Sequence, residues 1–179
     1  MKKLILIIAL LVSSLAVSAQ NTSQSYIEKF KDNAVRLMHE TGVPASIILA
    51  VAMHESANGN SLIAQKLNNQ FGVKGGETTV IYKHKKKIHT AYKRYDSVMD
   101  SFQDFVRLMT EHKKFAHLSG ELTHYDYFGW AKGIQHSGYC SSHKWAAQVL
   151  NIINKYGLNA YDEKPEVQQP QTQLAASNQ

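Results

Sequence analysis

The chain has a single cysteine, Cys140, in 179 residues. No intrachain disulfide can form, so stability has to come from packing. Proline is almost as scarce: of three prolines, Pro44 is the one that falls among the patterned segments. Between Glu77 and Asp96 there is no acidic residue at all, which excludes a carboxylate pair within that segment. The zinc motif HExxH is also missing: His54 adjoins Glu55, but Asn58 stands where the second His would be.

Long apolar runs are confined to the start. Met1-Lys2-Lys3 is followed by LILIIALLVSSLAV and then VSA before Gln20. The run is too short for a stable membrane span, and its flanks are those of a secretory signal peptide cut after Ala19. No cysteine follows the run, which excludes lipid attachment of the lipoprotein kind. The expectation is a secreted protein, periplasmic or associated with the cell envelope, with no stable membrane span after cleavage.

About 160 residues remain, enough for one domain with a real core. The formal charge falls from +6 to +4 when Lys2 and Lys3 are left out. That excess favours anionic partners, and wall polymers, membrane surfaces and nucleic acid all qualify.

What is present is mostly helical periodicity. From Tyr26 to Glu40, Ile27, Phe30, Ala34, Leu37 and Met38 fall at three-and-four spacing, and Gly42 can end that helix. Pro44 suits the first turn of a second helix, whose ASIILAVAM is apolar nearly all round and belongs in the core. SLIAQKLN forms a short third helix, and NNQFGVKGG reads as turns around a brief strand.

Thr78 to Tyr95 is rich in β-branched and aromatic residues, with Lys83, His84, Lys85, Lys86 and Lys87 in the middle. It predicts a hairpin with an exposed basic tip, although Gly and Asn are missing there. The tip could follow anionic wall polymers or discourage strand pairing. Ser97 and Asp100 make a capping box for a helix striped by Val98, Phe102, Phe105 and Met109. YDYFGWAKGIQHSGY and SSHKWAAQVLNIINKYG predict two more helices. Trp145, Val149, Ile152, Ile153 and Tyr156 lie on one side of the last, and Gly157 sits at its stop. The polar segment 161–179 reads as a disordered tail, so the expected division is signal 1–19, domain 20–160, tail 161–179. The fold class is α+β, mostly α.

The second helix raises the functional question, because it ends on Glu55. A half-buried carboxyl is costly unless paired or neutral, and the negative end of a helix dipole also opposes its charge. A proton donor is one use for such a group.

GVPASIILAVAMHESANGNSLIAQKLNNQFGVKG, then YDSVMDSFQDFVRLM and YFGWAKGIQHSGYCSSHKWAAQVLNIINKYGL, resemble the bacterial endo-β-N-acetylglucosaminidases of the flagellar-hydrolase and autolysin type. The resemblance runs from Tyr26 to Leu158. It implies a lysozyme-like helical domain with a small β-hairpin lobe, cleaving the β-1,4 bond after N-acetylglucosamine in peptidoglycan. Partners would then be glycan strands and not nucleic acid, with no metal or organic cofactor. Glu55 matches the general acid and Tyr139 the tyrosine that positions the N-acetyl sugar. Phe71 and Gly72 match the floor of the site, with Ser56, Asn69 and Trp130 as further substrate-binding candidates. Two departures stand out: Ala57-Asn58 replaces the family's usual Gly-Trp, and the hairpin lacks the second carboxylate many members carry.

Glycoside cleavage needs a proton on the leaving oxygen and help at the anomeric carbon. For the second task the candidates are Glu77 or Asp96 as base for a water, or the substrate's own 2-acetamido group oriented by Tyr139. The basic hairpin favours the latter. Two rivals stand beside this: a non-catalytic wall-binding or assembly protein on the same scaffold, and a Cys-His hydrolase built on Cys140 with His136 and His143.

Overall fold

The computed structural model describes residues 20–162. The expected signal segment, 1–19, and residues 163–179 of the expected tail lie outside the described residues. Helix α1 (Ser23–Thr41) opens with a reciprocal cap in which the Thr22 hydroxyl accepts from the Ser25 amide and the Ser25 hydroxyl from the Thr22 amide. It closes on Gly42, whose φ of 78° lets its N–H reach the Met38 carbonyl.

Helix α2 (Ala45–Ser56) is the axis of the domain. Every residue from Ala45 to Met53 is buried, which its lack of a polar face requires. Around it pack α1, α4 (Val98–Glu111), α6 (Tyr127–His136), α7 (Trp145–Tyr156) and a terminal 3-10 turn, Leu158–Asp162. The short helices α3 (Leu62–Leu67) and α5 (His117–Glu121) join these elements. α5 has no counterpart in the sequence reading. Ser97 and Asp100 form the expected capping box of α4, and its Phe102, Phe105 and Met109 face the core. Phe71 lies flat on Phe105, ring centroids 4.3 Å apart, and edge-on to Phe102 at 4.9 Å.

The hairpin is longer at its root than predicted. Strand β1 (Lys74–Lys83) begins inside VKGG and pairs antiparallel with β2 (Lys86–Tyr92), so the expected brief strand and the hairpin are one element. Ile81 faces Ile88, and the register is irregular between Lys74 and Thr79. The turn is made by His84 and Lys85 at φ 46° and 65°. This is the two-residue left-handed geometry that usually selects Asn and Gly. Its root is tied to α4 by Asp104, which accepts from Lys93 Nζ at 2.9 Å, from the Tyr95 hydroxyl at 2.7 Å and from Arg107. Burial acts to raise the Asp104 carboxyl, but the bonds from Tyr95, Lys93 and Arg107 outweigh it and hold it below the ordinary range. Its contribution to stability is therefore present above the ordinary carboxylate value of 3.8 and is lost as acid carries the pH below it.

The 3-10 turn Leu158–Asp162 carries the described chain on past residue 160. Pro44 offers α2 no side-chain cap, and Asp162 supplies one from the far end of the described chain. Its carboxylate accepts from the Ser46 amide at 2.8 Å and the Ser46 hydroxyl at 2.5 Å, with both residues buried. Asp162→Ala leaves two buried donors unsatisfied at a helix N-terminus, so it should cost about 2–3 kcal/mol. A thermal melt should show the midpoint falling by about 6 °C; an unchanged midpoint would mean that the cap carries no stability.

Candidate active site

Glu55 is the last residue but one of α2, half-buried where the helix reaches the surface. The chain then turns away at once, because Ala57, Asn58 and Gly59 all take left-handed backbone, φ 52°, 57° and 77°. Ser56 holds that reversal. Its hydroxyl donates to the Ala52 carbonyl at 2.6 Å and accepts from the Gly59 amide at 2.7 Å. Ser56, expected among the substrate-binding residues, is fully buried, with its hydroxyl engaged in the turn.

The opposite side of the site is backbone. Asn69, 1% exposed, spans the loop beneath β1: its Oδ1 accepts from the Phe71 and Val73 amides at 3.3 and 3.1 Å, and its Nδ2 donates to the Val73 and Lys93 carbonyls at 2.9 and 2.8 Å. Those four bonds make Asn69, expected among the substrate-binding residues, a clamp of this loop. Phe71 likewise contributes from below, its ring in the core and its carbonyl at the site. Gly72 follows at φ 64°, and a Cβ there would stand 3.7 Å from Glu55 Oε2 and 3.8 Å from Tyr92 Cε1. Gly72 thus lies between Glu55 Oε2 and the Tyr92 ring.

Tyr139 closes the site from the loop after α6. Its hydroxyl donates to the Phe71 carbonyl at 2.6 Å, which fixes the floor that Phe71 and Gly72 were expected to shape. Burial, and after it the negative charge of Glu55, raises the Tyr139 phenol well above its ordinary range. It therefore stays a neutral hydroxyl.

One residue at the centre had not been assigned to the site. Trp145, at the start of α7 and only 2% exposed, donates its indole N–H to Glu55 Oε1 at 2.7 Å. Its ring tilts against Tyr139, centroids 5.3 Å apart. A buried tryptophan must find an acceptor for its N–H, which was the available signal, but the sequence shows no acceptor nearby: Glu55 is 90 residues away. The tryptophan expected to meet substrate, Trp130, lies on α6. Trp130 is completely buried and its indole donates to the Thr123 carbonyl at 3.1 Å, so it belongs to the core.

Glu77 is exposed in the irregular stretch of β1, while the groups bordering Glu55 are Trp145, Gly72 and Tyr139. The Cys-His arrangement does not assemble as a hydrogen-bonded pair: the Cys140 thiol points to the Ser142 carbonyl at 3.7 Å, and His136 Nδ1 lies 2.8 Å from the Lys132 carbonyl of its own helix. Among the described residues no group of three or more His, Cys, Asp or Glu could hold a metal ion. An open hollow of about 300 Å³ beside Lys93, Asp104 and Arg107 lies on the outer side of α4, and Glu55 is not among its lining residues.

This geometry can be set beside known proteins. The model of the family described as mannosyl-glycoprotein endo-beta-N-acetylglucosaminidase matches residues 31–158. The chain belongs to the glucosaminidase family. It is 34% identical over 153 residues to the exo-glucosaminidase LytG of Bacillus subtilis, covering 78% of this chain and 54% of that one. To the peptidoglycan hydrolase FlgJ of Salmonella typhimurium it is 26% identical over 157 residues, covering 79% and 48%. It spans about half the length of these curated relatives. The solved glycoside hydrolase domain of Salmonella typhimurium FlgJ superposes with a TM-score of 0.62 at 25% identity, covering 78% of this chain and 91% of that one. The lysozyme-like fold, mostly helical with a small hairpin lobe, is the one the resemblance implied.

Asn69→Ala removes four bonds from the loop that carries the Phe71 carbonyl and Gly72. The loss should be about 3 kcal/mol of stability, read as a lower urea midpoint with an unchanged m-value.

Proposed function

We propose that this glucosaminidase-family chain hydrolyses the β-1,4 bond after N-acetylglucosamine in peptidoglycan, outside the cytoplasmic membrane, with Glu55 as general acid. The observation that carries the reading is the one-sided hydrogen bonding of Glu55. Oε1 receives the Trp145 indole N–H, a group that can only donate. A proton on the carboxyl therefore resides on Oε2, the oxygen that borders Gly72. From there it can pass to the glycosidic oxygen of a sugar lying over the Gly72 backbone, where a side chain would obstruct it. The indole then stabilises the carboxylate left behind, a charge that appears only as the bond breaks.

The second group is the substrate's own 2-acetamido. The Tyr139 hydroxyl has given its proton to the Phe71 carbonyl, so its oxygen is free to accept the acetamido N–H. Held so, the acetamido oxygen attacks the anomeric carbon as the leaving oxygen takes the proton from Glu55. Water later opens the cyclic intermediate, returning its proton to Glu55. This route asks nothing of Glu77 or Asp96, and it gives retention at the anomeric centre, whereas a water activated by Glu77 gives inversion.

Glu55→Gln should lower the release of reducing ends from purified peptidoglycan by about a thousandfold with the fold intact. Borohydride reduction and mass spectrometry should find N-acetylglucosaminitol ends in the parent's products. Binding without release by the parent would replace the enzyme with a wall-binding module. Trp145→Phe keeps the ring and loses the donor, and should reduce kcat about tenfold with little change in KM. Glu77→Gln should leave the rate within about twofold; inverted product and a lost rate would return the base to Glu77.

A further inference from the structure

The hairpin tip is built against its own stability. Lys83 and Lys86 face each other across the strands and Lys87 stands opposite Tyr82. Like charges directly opposite one another weaken a sheet pair. The turn places His84 and Lys85 in left-handed backbone, a conformation that a Cβ disfavours. Lys83, Lys85, Lys86 and Lys87 are all exposed, and none enters an ion pair among the described residues. Tyr82 between them is 61% exposed. Protection of the strand edges accounts for Lys83, Lys86 and Lys87, which lie within β1 and β2, but not for Lys85, which stands in the turn.

The position of the hairpin says what the charge faces. Its root enters the site through Tyr92, which borders Gly72, and Asp104 braces the next residue, Lys93. From Tyr92 out to Lys86 the strand covers about 20 Å, so the tip is within reach of a polymer that leaves the site on the hairpin's side. We propose that the lysine tip is a docking arm for the acidic peptide stems that branch from the glycan substrate, binding their carboxylates at a distance from the bond being cut. The proposal rests on peptidoglycan as the substrate. Cross-strand partners share a face, so Lys83 and Lys86 lie on one face of the ribbon and Tyr82 and Lys87 on the other. The tip thus lacks the apolar side that seats a protein in a lipid surface. A strand carrying carboxylates at repeated intervals can meet a finger that is basic on both faces.

The test is co-sedimentation on ice with insoluble sacculi, using the full chain carrying Glu55→Gln, against glycan whose stems have been removed by an amidase. Two further proteins carry either Gln or Arg at all of Lys83, Lys85, Lys86 and Lys87, each checked by circular dichroism and thermal melting. The lysine protein should bind stem-bearing sacculi about tenfold more tightly than bare glycan, a preference that fades between about 0.05 and 0.5 M salt. The Gln series should lose the preference and the Arg series keep it. Equal binding to the two glycans, a preference retained by the Gln series, or tighter binding to phosphatidylglycerol vesicles than to stem-bearing sacculi would each overturn the proposal. Release of reducing ends by the unsubstituted chain is scored separately. Its absence would count against the hydrolase reading, whereas stem-dependent binding tests the arm alone.

Discussion

A buried helix can present a carboxylate at a fixed point only if neither of its ends can shift. In this protein α2 is held at both. Asp162 grips Ser46 at the N-terminus, and the Ser56 hydroxyl locks the reversal at the C-terminus. Between them the helix is sealed in side chains from α1, α4, α6 and α7, and close-packed interiors give way little. Glu55 inherits that rigidity, and Trp145 then fixes which of its two oxygens faces outward.

The other half of the site depends on a different device, because a glycine cannot be positioned by its own side chain. Gly72 is placed through its neighbours: Phe71 is stacked on Phe105, the Phe71 carbonyl is held by Tyr139, and Asn69 clamps the amides on either side. Tyr139 therefore acts twice. Its hydroxyl holds the floor, and its ring packs against Trp145. Trp145 is similarly shared, its ring packing on Tyr139 while its N–H serves Glu55. Such double use makes the two halves one unit, so the effects of changing Tyr139 and Trp145 together should not add.

What could be read from the sequence followed from local rules. The helical stripes, the Ser97 and Asp100 capping box, the Gly42 and Gly157 stops and the hairpin all express interactions within a few residues, and Glu55 stood out as a carboxylate ending an apolar helix. What could not be read required partners far apart in the chain. Trp145 meets Glu55 across 90 residues and Asp162 meets Ser46 across 116. Asp162 also sits at the start of a stretch whose polar composition suggested no fold. Ser56, Asn69 and Trp130 share one difficulty: a polar or aromatic residue within a motif can serve the substrate or the scaffold, and its burial is not legible in the motif. Ala57 and Asn58 show the converse. Their left-handed backbone is the turn that a Gly would adopt without strain, and nothing in their residue types announced it.

The two ends of the hairpin answer to different constraints. Lys83, Lys85, Lys86 and Lys87 stand at the far end of a ribbon that extends about 20 Å from Tyr92, whereas the root is set by Asp104 and its bonds to Lys93 and Tyr95. Exposed charges more than a Debye length apart are largely screened from one another, so the tip can carry charge suited to a polyanion while the ion pair that ties the root to α4 is left undisturbed.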